Sequence, residues 1–320
     1  KKETSLFACR DRIGVKPFFY NKTKNTFSFA SKIDTLLCQP YVKSVVDEEG
    51  LYEIFMLGPA KTIGKAIFKD ICELPPAFCL TYKNGEIKTY PYWKLEAKEF
   101  DENEETAAEH TYLLVKDSIE RQLVSDVPLA TFLSGGLDSS IISKIASDIY
   151  NKSGKTLDTY SVDYTDNDKY FKKSLFQPNK DSDYIDVISS YIGSNHHNIV
   201  LNNVDVANAL EEAAIERGVP GFVDIDSSLM LFCKEVKKDF TVCLSGECAD
   251  EIFAGYPWYH KKEILFENVF PWARNTNIRQ RILKNGFLSD GEEYLQSAYK
   301  NTLKNISYLE SDDKINKRMR

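Results

Sequence analysis

The segment "TFLSGGLDSS", residues 131–140, indicates an α/β fold, because it joins a buried strand to a helix through two glycines. The strand reads "LATFL", and the helix begins near Asp138, where isoleucines start to recur at helical spacing. A glycine turn with a Ser or Asp helix cap would explain these residues. A cradle for phosphate would also explain them, because glycines let amides approach a ligand and a helix start attracts anions.

The side chains of this segment favour the phosphate interpretation. Ser134, Ser139 and Ser140 would add hydroxyl donors around the glycines. Asp138 would repel a bare phosphate, so a cation has to lie between them. Mg²⁺ suits this position, because it takes one or two carboxylates together with phosphate oxygens. We therefore expect the segment to bind a pyrophosphate group with Mg²⁺.

A second segment, "SGECADE" at residues 245–251, repeats the design after the strand "FTVCL". It brings three carboxylates, those of Glu247, Asp250 and Glu251. A solvated acidic helix start would also explain them, because the helix dipole favours acids there. Ligands bind outside the carboxyl ends of parallel strands. If the two strands are neighbours, Asp138 and Asp250 come together around one Mg²⁺.

Alternating strands and helices predict an α/β domain with a parallel sheet covered on both faces, over residues 107–320. Residues 1–93 read instead as β-rich, with short strands and a hairpin on Asn84-Gly85. The acidic stretch 94–106 has no apolar periodicity and is predicted to be a solvated linker.

The composition is that of an ordinary soluble protein of 320 residues, 42% hydrophobic and 28% charged. Its net charge of -7 argues against nucleic acid as the main partner. Seven cysteines without a C-x-x-C pair indicate reduced thiols and a cytoplasmic location. No apolar run approaches membrane-spanning length. The adjacent pair His196-His197 should point to opposite faces of a strand and makes a poor metal site.

Several motifs together resemble one family. "LSGGLDSS" is similar to the pyrophosphate loop of ATP pyrophosphatases, the adenine nucleotide alpha hydrolase-like proteins. Paired with "LSGECADEIFAGY", it resembles the synthetase domain of glutamine-hydrolysing asparagine synthetases. "RDRIGVKPFFY" (residues 10–20) and "TYPYW" (89–93) resemble the late part of the N-terminal-nucleophile, class II glutamine amidotransferase domain of those enzymes. The resemblance thus spans both halves of the chain in the expected order.

The resemblance implies a ligase of amino-acid biosynthesis. Such an enzyme makes asparagine from aspartate with glutamine-derived ammonia, through β-aspartyl-AMP, and releases AMP and pyrophosphate. ATP and Mg²⁺ are the implied cofactors, and a homodimer is plausible. Two alternatives stay open: another carboxylate-adenylating enzyme, such as a β-lactam-type synthetase, or a non-catalytic ATP-binding paralogue.

The resemblance also implies roles for individual residues. Asp138 and Asp250 would bind Mg²⁺, and Glu247 would take a proton from attacking ammonia or brace the metal. Asp138 and Glu247 are the predicted catalytic residues. The residues expected around the nucleotide are Leu133, Ser134, Gly135, Gly136, Asp138, Ser139, Ser140, Val162, Ser245 and Gly246.

The sequence departs from the family pattern in three places. The family's glutaminase nucleophile is an N-terminal cysteine, whereas this chain opens with Lys1 and its earliest cysteine, Cys9, lies in a strand. A lysine that the family uses in adenylation would fall beyond Arg320. Cys248-Ala249 stands where the family often has Gly-Ser. We therefore expect a central fragment truncated at both ends, or a naturally reduced homologue, without glutaminase activity of its own.

Overall fold

The structure is a computed structural model that describes residues 5–96, 98, 101–174, 179–265, 267–281, 283 and 287–305. The chain divides into two compact units. The first comprises Lys1–Glu99, Ile215–Gly221 and Glu267–Arg320, and the second comprises Phe100–Ala214 and Phe222–Phe266.

The first unit contains two small antiparallel sheets, with strand orders β1-β5-β6 and β3-β2-β4. Its opening elements are β1 (Ser5–Cys9), β2 (Phe19–Lys22), β3 (Phe27–Ala30), α1 (Ile33–Leu37), α2 (Glu48–Tyr52), β4 (Ile71–Glu73), β5 (Phe78–Lys83) and β6 (Glu86–Pro91). The predicted hairpin is confirmed: β5 and β6 are joined by Asn84 and Gly85, both at positive φ. That geometry matches the twist of a two-residue hairpin.

A buried arginine holds the first unit's loops together. Arg10 pairs with Glu73 at 2.9 Å and donates to the carbonyl oxygens of Leu74, Lys16 and Gly14. These bonds satisfy a guanidinium that is only 9% exposed. The sequence motif "RDRIGVKP" therefore has a clear structural role in this loop.

The second unit is built on a parallel sheet with the order β10-β7-β8-β9. Its elements are α3 (Glu104–Gln122), β7 (Leu129–Phe132), α4 (Leu137–Lys152), β8 (Asp158–Tyr164), α5 (Asn167–Tyr170), α6 (Ser182–Ile192), β9 (Asn195–Leu201), α7 (Asn203–Asn208), α8 (Leu210–Arg217), α9 (Val223–Val236), β10 (Val242–Leu244), α10 (Ala249–Phe253) and α11 (Lys262–Leu265). The last three residues of α8 belong to the first unit. The α/β class and the parallel sheet are confirmed.

The alternation of side chains along each strand separates the two faces of this sheet. On one face, Ala130 and Tyr160 pack with Phe232 and Val236 of α9. On the other face, Thr131 hydrogen-bonds Ser143 of α4 at 2.8 Å. Helices thus cover both faces, and the α4 face carries buried hydroxyl groups.

The last described elements, α12 (Thr276–Arg281) and α13 (Gly291–Asn305), pack in the first unit. Tyr294 of α13 stacks on Tyr52 and donates to the carboxylate of Glu53, which is 1% exposed. Arg279 donates to the carbonyl oxygens of Met56 and Gly58, both at 2.8 Å. These contacts attach a late segment of the chain to an early one.

One sequence expectation needs correction, and one helix begins earlier than its apolar spacing indicated. Cys9 and Cys79 were expected as reduced thiols, but they face each other across β1 and β5 and form a disulfide. Helix α3 begins at Glu104, within the stretch predicted as linker, and its start is capped by the side chain of Asn103. Part of the linker lies outside the described residues. Every described helix is too short or too polar to cross a membrane.

Candidate functional site

The "SGGLDSS" loop lies at the carboxyl end of β7, as the sequence predicts. Leu133 extends the pairing, because its amide donates to the Tyr160 carbonyl of β8 at 2.8 Å. Gly136 is the N-cap of α4 and contributes no capping side chain. A Ser or Asp cap, the structural alternative for this segment, is therefore not how α4 begins.

Hydroxyl groups organise the loop from within. The Ser134 amide donates to Ser139 Oγ at 3.1 Å. Ser139 Oγ and Ser140 Oγ donate to the Gly136 carbonyl at 3.2 and 2.6 Å. These bonds turn the backbone tightly around the helix start, where first-turn amides lack partners within the helix. The result is a compact loop beside Asp138, in which the hydroxyl protons of Ser139 and Ser140 are bonded to the loop's own backbone.

Gly135 is required by both its conformation and its surroundings. It adopts φ +80°, and a Cβ there would lie 2.9 Å from the Asp181 carbonyl oxygen and 3.0 Å from Tyr184 Cβ. The loop therefore rests directly on the start of α6. The sequence did not point to Asp181 or Tyr184, because contact with them depends on how α6 packs.

The second motif meets the first through backbone contact. Strand β10 pairs in parallel with β7, with Leu244 opposite Thr131, so the predicted neighbouring of these strand ends is confirmed. Beyond the strand, a Cβ on Gly246 would lie 3.1 Å from Asp138 Cβ and 3.2 Å from the Ser139 amide nitrogen. Glycine at this position lets the two segments lie against each other.

The two aspartates of these motifs interact electrostatically. Burial raises the pKa of Asp138, and the negative charge of Asp250 raises it further. A divalent cation would relieve this repulsion, and a pair of carboxylates suits Mg²⁺ that also takes phosphate oxygens. No group of three or more His, Cys, Asp or Glu side chains forms a metal site in the described parts of the chain. The donor set thus fits an ion that binds together with a phosphate ligand.

The turn after β10 is tighter than its sequence suggests. The Glu247 amide donates to Ser245 Oγ at 3.2 Å. Cys248 then adopts φ +72°, the left-handed region that favours glycine. The family's frequent glycine at this position therefore has a conformational reason, and small size alone is not the explanation.

Val162 lies on β8 at the edge of a cavity of about 400 Å³ within the second unit. Its wall also includes Ser161, Asp163 and Asn198, and the start of α6 closes one side. The sequence motifs indicate Val162 but not these polar neighbours. A signal was present in β8, where Thr159, Ser161 and Asp163 occupy every second position and therefore share one face.

The histidine pair divides between the faces of β9, as predicted. His196 Nδ1 hydrogen-bonds Thr159 at 2.9 Å and Nε2 hydrogen-bonds Ser161 at 3.0 Å. His197 stacks on Tyr160 and bonds Asp158 at 2.8 Å. The two imidazole rings therefore have different hydrogen-bond partners on opposite faces of the sheet. This arrangement does not direct both rings toward one metal ion.

Comparison with known proteins gives two family matches along the chain. Asparagine synthase matches residues 110–319, and a glutamine amidotransferase domain matches residues 1–93. The order of the two matches is the order expected from the sequence motifs. The domain limits 1–93, 94–106 and 107–320 stay a prediction.

Individual relatives agree with these matches. The chain is 45% identical over 323 residues to "Asparagine synthetase [glutamine-hydrolyzing] 3" of Bacillus subtilis, covering 100% of this chain and 52% of that protein. It is 28% identical to "Putative asparagine synthetase [glutamine-hydrolyzing] 2" of Methanocaldococcus jannaschii, covering 80% of this chain and 48% of the relative. The chain therefore spans about half the length of the curated relatives it matches.

Among solved structures, NAD+ synthetase from Burkholderia pseudomallei is matched at 14% identity with a TM-score of 0.29, covering 68% of this chain and 87% of that one. This TM-score is too low to establish a shared fold. The parallel sheet seen here, the paired motifs and the family matches carry the assignment. The chain belongs to the asparagine synthase family.

Proposed function

We propose that this chain carries the synthetase part of a glutamine-dependent asparagine synthetase. In this reaction aspartate is activated by ATP to β-aspartyl-AMP with release of pyrophosphate. Ammonia derived from glutamine then attacks the acyl carbon, giving asparagine and AMP. The glutamine amidotransferase match at residues 1–93 supports glutamine as the ammonia source. A cytoplasmic location and a homodimer stay predictions.

The observation that carries this proposal is the close contact of the two motifs. Gly246 lies against Asp138 and Ser139, so the acidic turn after β10 borders the glycine loop after β7. Donors for phosphate and carboxylates for a cation thus meet at one edge of the sheet. This combination suits a metal-bound polyphosphate better than either motif would alone.

The loop residues would hold the phosphates of ATP. Backbone amides around Gly135 and Gly136 would be donors, and the hydroxyls of Ser134, Ser139 and Ser140 would join them by turning from their bonds within the loop to the phosphates. The dipole of the 16-residue helix α4 favours negative charge at the same point. Leu133, Val162 and Ser245-Gly246 would border the adenosine, and the cavity beside Val162 offers polar groups for it.

Asp138 and Asp250 would hold Mg²⁺. When bound, this ion offsets the negative charge that grows on the departing pyrophosphate. Each carboxylate is placed by backbone, Asp138 in the first turn of α4 and Asp250 in α10. The backbone thus brings both residues to the edge of the sheet where the loop donors lie.

Glu247 would serve the second half-reaction. It directly follows Gly246, so it lies next to the point where the two motifs touch. A carboxylate there can accept the proton that ammonia loses when it forms the amide bond. The other role open to Glu247 is to brace the metal from outside.

The test is to identify the nucleotide product. The full-length gene product is purified and incubated with Mg²⁺, ATP, aspartate and ammonia, and in parallel with glutamine in place of ammonia. We expect AMP, pyrophosphate and asparagine, and we expect Asp138→Ala to abolish all three. Asp148→Ala is the matched control, because Asp148 is on the same helix and pairs with Lys144 on the surface. It should leave the yield unchanged.

The alternatives predict different products. AMP formation with another carboxylic acid and not with aspartate would support the adenylation chemistry and show that the substrate is not aspartate. ATP binding without any AMP would point to a non-catalytic paralogue. ADP and phosphate as products would contradict the proposal.

A further inference from the structure

The chain folds back on α10 immediately after the helix ends. Ala254 adopts φ +56°, and the Gly255 amide donates to the Asp250 carbonyl at 3.0 Å. His260 Nε2 hydrogen-bonds the Ala254 carbonyl at 2.8 Å and so fixes the turn from the other side. The return turn, residues 254–260, therefore lies against the helix that carries Asp250 and Glu251.

Gly255 fits closely against the side chain of Asp250. An ideal Cβ on Gly255 would lie 1.9 Å from Asp250 Oδ1 and 2.8 Å from its carboxyl carbon. Gly255 does not adopt a positive φ, so its backbone conformation alone does not demand glycine. A side chain at this position would therefore force the Asp250 carboxylate to move. Conversely, the flat backbone of Gly255 limits where that carboxylate can lie.

Tyr256 holds the neighbouring carboxylate. Its hydroxyl donates to Glu251 Oε1 at 3.1 Å, and its ring stacks on Trp258 with centroids 4.4 Å apart. Burial and the hydrogen bond to Glu251 raise the pKa of Tyr256 to about 12. The phenol therefore remains a donor at neutral pH. Two adjacent residues of the return turn thus contact two adjacent acids of α10.

We propose that Gly255 and Tyr256 are positioning residues of the metal-nucleotide site. Gly255 sets the Asp250 carboxylate, and Tyr256 restrains Glu251 so that its charge stays apart from the phosphates. This inference rests on the proposed function, because it takes Asp250 as a ligand of the nucleotide's metal ion. It explains how the neighbouring carboxylates of Glu247, Asp250 and Glu251 can have different roles.

The steric part is tested without any ligand. Gly255→Ala should lower the melting temperature by about 5 °C, because it forces an overpacked contact with Asp250. In an Asp250→Ala background the same glycine substitution should cost clearly less, because the clashing carboxylate is gone. An equal loss in both backgrounds would overturn the claim that Gly255 acts on Asp250.

The functional part is tested by binding. Mn²⁺ replaces Mg²⁺, and electron paramagnetic resonance follows its binding together with a non-hydrolysable ATP analogue. Gly255→Ala should weaken this binding about tenfold, the usual scale for a residue that orients a metal ligand. The measurement is made well below the melting temperature of the variant, so that the protein is folded. Unchanged affinity would overturn the role of Gly255.

Tyr256→Phe removes only the hydroxyl. We expect it to weaken binding of the Mn²⁺ analogue complex about threefold, the size of one exposed charge interaction. Adding Glu251→Gln to this variant should restore the affinity, which a merely structural role would not predict. Tyr259→Phe is the control, because Tyr259 shares the same aromatic stack. Failure of the rescue would overturn the role of Tyr256.

These outcomes are separate from the proposed reaction. A wild-type protein that binds the Mn²⁺ complex but forms no AMP would contradict the proposed function and leave the positioning roles intact. A wild-type protein that binds no Mn²⁺ in the presence of the analogue would overturn both.

Discussion

The loop after β7 and the turn after β10 start alike and are supported differently. Each follows a strand with Ser-Gly and then an acid. In the first, Gly135 takes the positive φ and a helix of 16 residues follows. In the second, the positive φ falls on Cys248 and the helix has five residues. A short helix between two left-handed residues has little stability of its own.

This difference shows two ways of placing a carboxylate. Asp138 is fixed by local sequence, because glycine is present where the backbone needs it and α4 is long. Asp250 is held by a contact from outside its helix, with the backbone of Gly255. Substitutions within the loop after β7 should therefore disturb the position of Asp138. The position of Asp250 should depend more on substitutions in the residues that contact its helix.

The largest effect is expected at Gly135. Gly135→Ala combines a left-handed backbone with a contact of 2.9 Å to the Asp181 carbonyl. We expect a loss of about 3 kcal/mol in the free energy of unfolding, together with loss of AMP formation. Denaturant unfolding measures the loss in the free energy of unfolding. A variant as stable as the wild type would contradict the claim that this loop needs glycine.

Gly246→Ala tests the contact between the motifs. Its Cβ would meet Asp138 and Ser139 at 3.1 and 3.2 Å, so the segments must separate by a few tenths of an ångström. We expect about 1 kcal/mol of destabilisation, with AMP formation reduced about tenfold. Rates and unfolding curves of the same preparation separate the two effects. Normal AMP formation would show that the motifs need not touch.

A change that relieves strain should act in the opposite direction at the second motif. Cys248→Gly removes the cost of a side chain at φ +72°. We expect a gain of about 0.5 kcal/mol in the free energy of unfolding, after the entropy of glycine is counted. Ala249→Gly is the control, because Ala249 is within α10 and should lose stability instead. No gain for Cys248→Gly would show that this turn is not strained.

The smallest effect concerns pH, at the polar sheet face that carries His196. Burial lowers the pKa of His196, while Asp186 opposes and His197 adds to the shift. As the pH falls below about 6.5, His196 becomes protonated in the unfolded chain before it does in the folded one. The free energy of unfolding therefore decreases from about pH 6.5 down to the lower pKa of His196 in the folded protein. Ser161 donates to Asn198 at 3.1 Å, so it accepts from His196 Nε2 and leaves Nδ1 as an acceptor.

We expect His196→Gln to reduce the fall in melting temperature between pH 7.5 and 5.5. His110→Gln, at an exposed histidine of α3, serves as the comparison and should retain the wild-type fall. An unchanged fall in His196→Gln would show that this histidine does not contribute to acid sensitivity.

Much of the second unit could be predicted from sequence. The strand at residues 129–133, the glycine loop and the helix with periodic isoleucines are local patterns, so their order and type follow from short-range physics. The positions of Asp181 and Tyr184 against Gly135 could not be read in this way, because they depend on how α6 packs. The polar cavity beside Val162 could not be predicted either, because it forms only when β8 and β9 are paired and α6 packs beside them.

The first unit shows the same limit more sharply. Seven scattered cysteines predicted reduced thiols, yet the register of β1 against β5 brings Cys9 opposite Cys79. Register depends on pairing across 70 residues and is not visible in either strand alone. The contact of Tyr294 with Glu53 likewise joins segments that are 241 residues apart.

The family, the alternation of strands and helices, and the two motifs with Ser-Gly followed by an acid can all be read from the amino-acid sequence, because each is a short local pattern. The contact of Gly246 with Asp138, the contact of Gly255 with Asp250 and the hydrogen bond of Tyr256 to Glu251 become visible only in the folded chain. Those contacts arise from strand order and from a turn that folds back on its helix. Such distances of a few ångströms between backbone and carboxylate are set by packing in three dimensions.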